Sequence, residues 1–290
     1  MKGLMEQWGE YLNEITSLDA NLKQEFLQTI LDSKFWTKPH GESKVDISGL
    51  KSDRGQELTT PSIEALESAL NDAAKSLGTE IIFVFTVTSI PEYVLRPEDP
   101  HGGYPNNWLM HGQYMGPHEK GHVIWLEFRP VHDEFDLNQL NAQELAKNIS
   151  RTINHEMVHY NQLKKQAKSK GLSEEEAWEE MKCDPKQIPV GDPDEYRKRC
   201  GKEPPKQGQG RDVYLSRHPE VDAFAHEAAE QLLDKYTPSQ ALKLIKRRSE
   251  KLDGVVRDYL DVLGGEKNTH LLKKFWTKLY LQIQAEIAGI

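Results

Sequence analysis

The chain has 290 residues, 37 basic and 46 acidic side chains, a net charge of −9, and 37% hydrophobic residues. That length fits one large domain or two closely packed lobes, and the apolar share is too high for a disordered chain. The acidic balance argues against nucleic acid as the main partner, and the longest strongly apolar stretch, Ile81–Ile90, is too short to cross a membrane.

The first fifteen residues mix charges into their apolar positions and do not read as a secretory signal. Two cysteines, Cys183 and Cys200, lie in a polar stretch without metal-type spacing. They predict free thiols in a reducing compartment, and with neither a secretory signal nor a membrane span read in the sequence the expected location is the cytoplasm. The basic runs Lys164-Lys165 and Lys246–Arg248 have acids nearby and read as solvated helix faces.

In chain order, residues 2–34 carry apolar side chains at helical spacing (Leu4, Trp8, Leu12, Ile15, then Leu22, Phe26, Ile30) and predict one or two amphipathic helices. Residues 35–60 are polar and irregular. A helix is predicted from Pro61, capped by Thr60 and stopped at Gly78. Ile81–Ser89, β-branched and aromatic, predicts a buried strand. Residues 91–121 hold five prolines and five glycines and read as loop. Within them a strand over Trp108–Met115 turns through Gly116–Gly121 into a second, His122–Phe128. A long helix is predicted from Asn141 to Lys168, with Asn141 as cap and Glu144 as box partner, and a short one near Ser173–Lys182. The rest of 171–212 is a charged, proline-rich excursion. Helices follow over Pro219–Lys235, Ser239–Leu263 and Thr269–Ile287. The order predicts an α+β fold, with a small, mostly antiparallel sheet packed on the long helix and a mainly helical C-terminal part. The expected segments are an N-terminal helical part over 1–60, a core over 61–235 and C-terminal helices over 236–290.

The chemistry is concentrated in His155-Glu156-Met157-Val158-His159, an H-E-x-x-H pentapeptide inside the long helix. Spacing of four puts both imidazoles on one helix face, one turn apart, where they can share a metal. Zn2+ suits neutral imidazole. Glu156 points beside such an ion, where it can hold a water and take its proton as general base.

Two histidines leave a catalytic zinc one protein ligand short. A metzincin continuation needs Gly at 162 and His at 165, but these positions hold Gln162 and Lys165. The stretch Tyr214–Ala225 offers Glu220, in the first turn of a helix, with the small Ala223 one turn on to let the two helices approach. Its rivals are Asp222, His218, His226 and Glu227. Tyr214, His218 and Arg211 have the chemistry to stabilise an oxyanion, against plain packing roles for the first two. His101, His111, His118 and His122 lack fixed spacing on a regular element. They read as part of a loop shaping the substrate cleft rather than as a second metal site. The strand His122–Phe128 is expected to present an open edge for an extended peptide.

HEMVHYNQ, followed by Tyr214-x-Ser-x-x-Pro-Glu220-Val-x-Ala-Phe-Ala, resembles the zincin metallopeptidases of the glutamate-ligand (gluzincin-like) type. It is most similar to the short metallopeptidases of tailed bacteriophages. The likeness covers about residues 80–235, with a weaker one in WTKLYLQI near the C-terminus. It implies His155, His159 and Glu220 as zinc ligands, Glu156 as base, and hydrolysis of peptide bonds in a peptide or protein substrate. One departure stands out. Thermolysin-like enzymes carry an aspartate four positions after the ligand glutamate, and here that position is Phe224, so a carboxylate orienting an imidazole must come from elsewhere, Asp222 and Glu227 being candidates. Two other readings remain: a zinc-stabilised binding or structural protein without turnover, and an amidase acting on a non-peptide amide. Glu156 separates the first from the enzyme, because a closed structural site has four protein ligands and no use for a base.

Overall fold

The computed structural model describes residues 25–26, 28–30, 44–46, 61–87, 108–130, 134–136, 142–184, 193–203, 215, 217–247, 252, 254–263 and 269–288. The chain divides into two compact units, one ending at Glu156 and one running, among the described residues, from Met157 onward. The division falls inside a single continuous helix. The fold is α+β, and no described helix is long and apolar enough to cross a membrane.

The first unit contains β1 (Lys44–Asp46), α1 (Pro61–Ser76), β2 (Ile81–Val87), β3 (Trp108–His118), β4 (Gly121–Pro130), β5 (Glu134–Asp136) and the start of α2 (Ala142–Lys170). In α1, Leu66, Leu70, Ala73 and Ala74 recur at helical spacing and are all buried. Gly78 ends the helix as expected, its N–H donating to Lys75 O and that of Thr79 to Ala74 O. The expected caps Thr60 and Asn141 lie outside the described residues. Of the helices expected over 2–34, the described residues Glu25, Phe26 and Gln28–Ile30 are helical, with Phe26 and Ile30 buried, and the rest lies outside.

Strands β2, β4 and β3 form a sheet in that order, with β2 parallel and β3 antiparallel to β4, while β1 and β5 pair separately. The sheet is therefore mixed: β3–β4 is antiparallel, as expected of most of the pairing, and β2–β4 is parallel. The tight hairpin makes β3 and β4 antiparallel, but the long segment after β2 lets that strand arrive parallel. Strand β4 is consequently central. The open edge expected along His122–Phe128 does not exist, because β2 occupies the side that the hairpin leaves over.

The outer edge of β2 is closed by side chains of α1. Phe83 N–H donates to Asn71 Oδ1 at 2.8 Å, Asn71 Nδ2 donates back to Phe83 O at 3.0 Å, and Phe85 N–H donates to Glu67 Oε2 at 2.8 Å. Pairing the edge amides in this way removes a template for strand addition. On the core face, Phe83, Phe85, Ile124, Leu126, Ile149 and Ile153 are buried, each contributing about 1.5–3 kcal/mol if fully withdrawn from water.

The second unit continues α2 and adds α3 (Glu174–Lys182), α4 (Pro193–Cys200), α5 (His218–Leu233), α6 (Pro238–Lys246), α7 (Gly254–Leu263) and α8 (Thr269–Ala288). Helix α3 starts at a capping box. Ser173 Oγ accepts from Glu176 N–H at 3.2 Å, and Glu176 Oε2 accepts from Ser173 N–H at 2.8 Å. The charged excursion is not irregular throughout, since it contains α4.

Cys183 and Cys200 form a disulfide across 17 residues, which corrects the expectation of free thiols. Tyr196 is buried and donates to Cys183 O at 3.0 Å, which brings α4 back onto the end of α3. The step from two cysteines to a reducing compartment loses its basis, because linear spacing does not reveal this return. A closed loop of that size constrains the unfolded chain by about 3 kcal/mol.

The helix expected over Ser239–Leu263 is two helices. Arg247 closes α6, and α7 opens at Gly254, whose φ of 58 is left-handed. The sequence misleads because Ile245 and Leu252 lie two helical turns apart, so the apolar period runs through the break. Around them Val221, Ala225, Leu232, Val256, Tyr259, Phe275 and Leu279 build one core. Tyr259 stacks on Phe275 at 4.1 Å and donates to Leu215 O. The alanines of α5 leave room for these rings.

Candidate metal centre

His155 and His159 lie one turn apart on α2, and Glu220 lies in the first turn of α5. An acidic side chain there is favoured by the helix dipole. Each of the three offers one ligand atom, and these atoms lie within 4.8 Å of one another. His159 Nε2 stands 3.7 Å from Glu220 Oε2, too far for a hydrogen bond. Two ligands of a tetrahedral zinc with bonds of about 2.0–2.1 Å lie roughly 3.3–3.4 Å apart, so the His159–Glu220 pair, at 3.7 Å, needs to close by only a few tenths of an ångström. Two imidazoles and a carboxylate are also a donor set that zinc accepts, and the residues fit the ion. Among the described residues they are the one group of this kind. Ala223, one turn on from Glu220, is fully buried.

Glu156 is 6% exposed, and its Oε2 accepts from the backbone N–H of Tyr114 at 2.7 Å. That amide belongs to the edge strand β3, so the carboxylate also closes part of a sheet edge. The approach depends on Gly112. A Cβ there would stand 2.4 Å from Thr152 Cγ2, 3.0 Å from Glu156 Cγ and 3.1 Å from Glu156 Oε1. Thr152 cannot easily turn away, because its hydroxyl donates to Asn148 O at 2.9 Å. Gly112→Ala is expected to lower stability by about 1–3 kcal/mol through overpacking. Adding Thr152→Ser, which keeps the hydroxyl and removes the methyl, restores most of the loss. Thermal unfolding of the single and double variants checks this, and an unchanged midpoint for the single variant would refute it.

Three of the four rival ligands, Asp222, Glu227 and His226, have neighbours elsewhere. Asp222 pairs with Lys274 at 3.2 Å and Lys278 at 3.8 Å, both on α8, and burial pushes the Lys278 ammonium down to about 8. Glu227 accepts from Gln231 at 3.1 Å, and His226 lies 4.0 Å from Glu230 on its own helix. His218 is the first residue of α5, and its side chain lies outside the described residues, as do Tyr214 and Arg211.

Of the four clustered histidines, His111 and His122 lie on the strands expected over Trp108–Met115 and His122–Phe128, and His118, expected in the turn between them, also lies on a strand, which is a correction. His111 lies opposite Glu127 in the β3–β4 register, His118 ends β3, and His122 is buried on β4 with its Nδ1 2.6 Å from Tyr114 Oη. His101 lies outside the described residues.

One residue was passed over at the sequence level. Gln162 Oε1 lies 3.1 Å from His159 Nδ1, and Gln162 Nε2 donates to Pro219 O at 3.2 Å. Its position three residues after His159, on the same helix face, was the available signal. Comparison with protein-family models, curated proteins and solved structures gives no match, so the reading of the site stands on its own residues.

Proposed function

We propose that this chain is a zinc-dependent metallopeptidase of the glutamate-ligand zincin type, and we propose with it the kinship to phage metallopeptidases. The observation that supports the reading is the convergence of His155, His159 and Glu220, beside a glutamate outside the ligand group that a backbone amide holds. A structural zinc takes four protein ligands, whereas this group offers three among the described residues.

When bound, zinc supplies Lewis-acid polarisation of a carbonyl and lowers the pKa of water toward neutrality. The chain's own residues do the rest. Glu156 takes a proton from the attacking water and passes it to the leaving amine. Its Oε2 is committed to the Tyr114 amide, which makes Oε1 the oxygen that carries the proton. Tyr214 and His218 are the proposed donors to the oxyanion.

The test is elemental analysis of the purified full chain together with cleavage of an unfolded protein. A single zinc per chain is expected, with cleavage that stops on chelation and returns with added zinc. A chain that cannot be loaded, or cleavage indifferent to the chelator, would overturn the proposal.

A further inference from the structure

We infer that Gln162 is a positioning residue that presents His159 Nε2 to the ion and ties the ligand-bearing end of α5 to α2. The inference deepens the metal-site reading above and rests on it. The two ends of the Gln162 amide are chemically distinct, and their neighbours tell them apart. Pro219 O can only accept, so the atom 3.2 Å from it is the amide nitrogen. The amide oxygen then faces His159 Nδ1 at 3.1 Å. Because that oxygen can only accept, Nδ1 of the neutral ring carries the hydrogen, and Nε2 presents its lone pair.

Nε2 is the atom 3.7 Å from Glu220 Oε2. Pro219 directly precedes Glu220, so one side chain fixes the tautomer of one ligand and the arrival point of another. A glycine at 162 could do neither. Nor would a lysine, which cannot accept a hydrogen bond from Nδ1–H. Partners of this kind, holding a ligand by its second nitrogen, are worth about 10–100-fold in metal affinity.

The experiment measures zinc affinity by competition with a chromophoric chelator for the parent, Gln162→Leu and Gln162→Glu in the full chain. Imidazole 15N spectra of the zinc-free proteins, at a pH where His159 is neutral, report its tautomer. Gln162→Leu is expected to bind zinc about 10–100-fold more weakly and to move the His159 hydrogen toward Nε2. Gln162→Glu, which still accepts from Nδ1–H, keeps the parent tautomer and recovers part of the affinity. A general packing role would change folding but not the tautomer. Gln162→Leu with parent affinity, or a parent ring protonated on Nε2, overturns the inference. If the parent itself binds no zinc, the metal reading fails, while the tautomer comparison still decides the role of Gln162. Should Gln162→Leu not fold, the parent spectrum and the Glu variant decide it.

Discussion

Glu156→Gln is expected to keep its zinc and to lose about 10²–10⁴-fold in the hydrolysis of an unfolded protein, the usual worth of a general base. The substitution is nearly isosteric, so the contact with Gly112 is retained. The amide oxygen of glutamine can still accept from the Tyr114 N–H that now donates to Glu156 Oε2 at 2.7 Å. What is lost is a group able to take a proton. Alanine would be a poorer probe. It would leave the Tyr114 amide without its acceptor in a buried setting, at a cost of about 1–3 kcal/mol, and mix a folding defect into the kinetics. Zinc content and cleavage rate, measured on the same preparation, check the prediction. A variant as active as its parent means that Glu156 is not the base.

Glu220→Ala is expected to weaken zinc binding by more than the roughly 10–100-fold associated with residues that only support a ligand. Two imidazoles one turn apart remain, and they do not complete the three-ligand set of a catalytic site. The zinc-free protein should lose little stability. Alanine is a good helix former, and the loss of an acidic group from the first turn costs about 0.3–1 kcal/mol. Metal analysis after dialysis against buffered zinc, beside thermal unfolding of the zinc-free form, separates the two effects. Full affinity in this variant would move the third ligand to a neighbour such as His218.

The parts of the fold carried by local pattern were legible in the sequence. The apolar stripe Ile149, Ile153, Met157, Tyr160 gave α2 almost to its ends, and the short helix expected near Ser173–Lys182 is α3. The candidate group His155, His159 and Glu220 was legible because both histidines of H-E-x-x-H share one helix face and Glu220 sits in a recognisable first turn. Relations between distant segments were not. Nothing local tells that β2 runs parallel to β4, or that Cys183 and Cys200 meet. The same limit hid Gln162. Its position read only as a departure from one motif, and its worth comes from Pro219, 57 residues away.

The Tyr114–Glu156 hydrogen bond has an evolutionary consequence. The group that steadies the carboxylate is a peptide N–H, present whatever side chain stands at that place in the strand. Exchange of the Tyr114 side chain, whose hydroxyl contacts His122, leaves that N–H in place. Proline, which alone lacks the hydrogen, is the one exchange barred there outright.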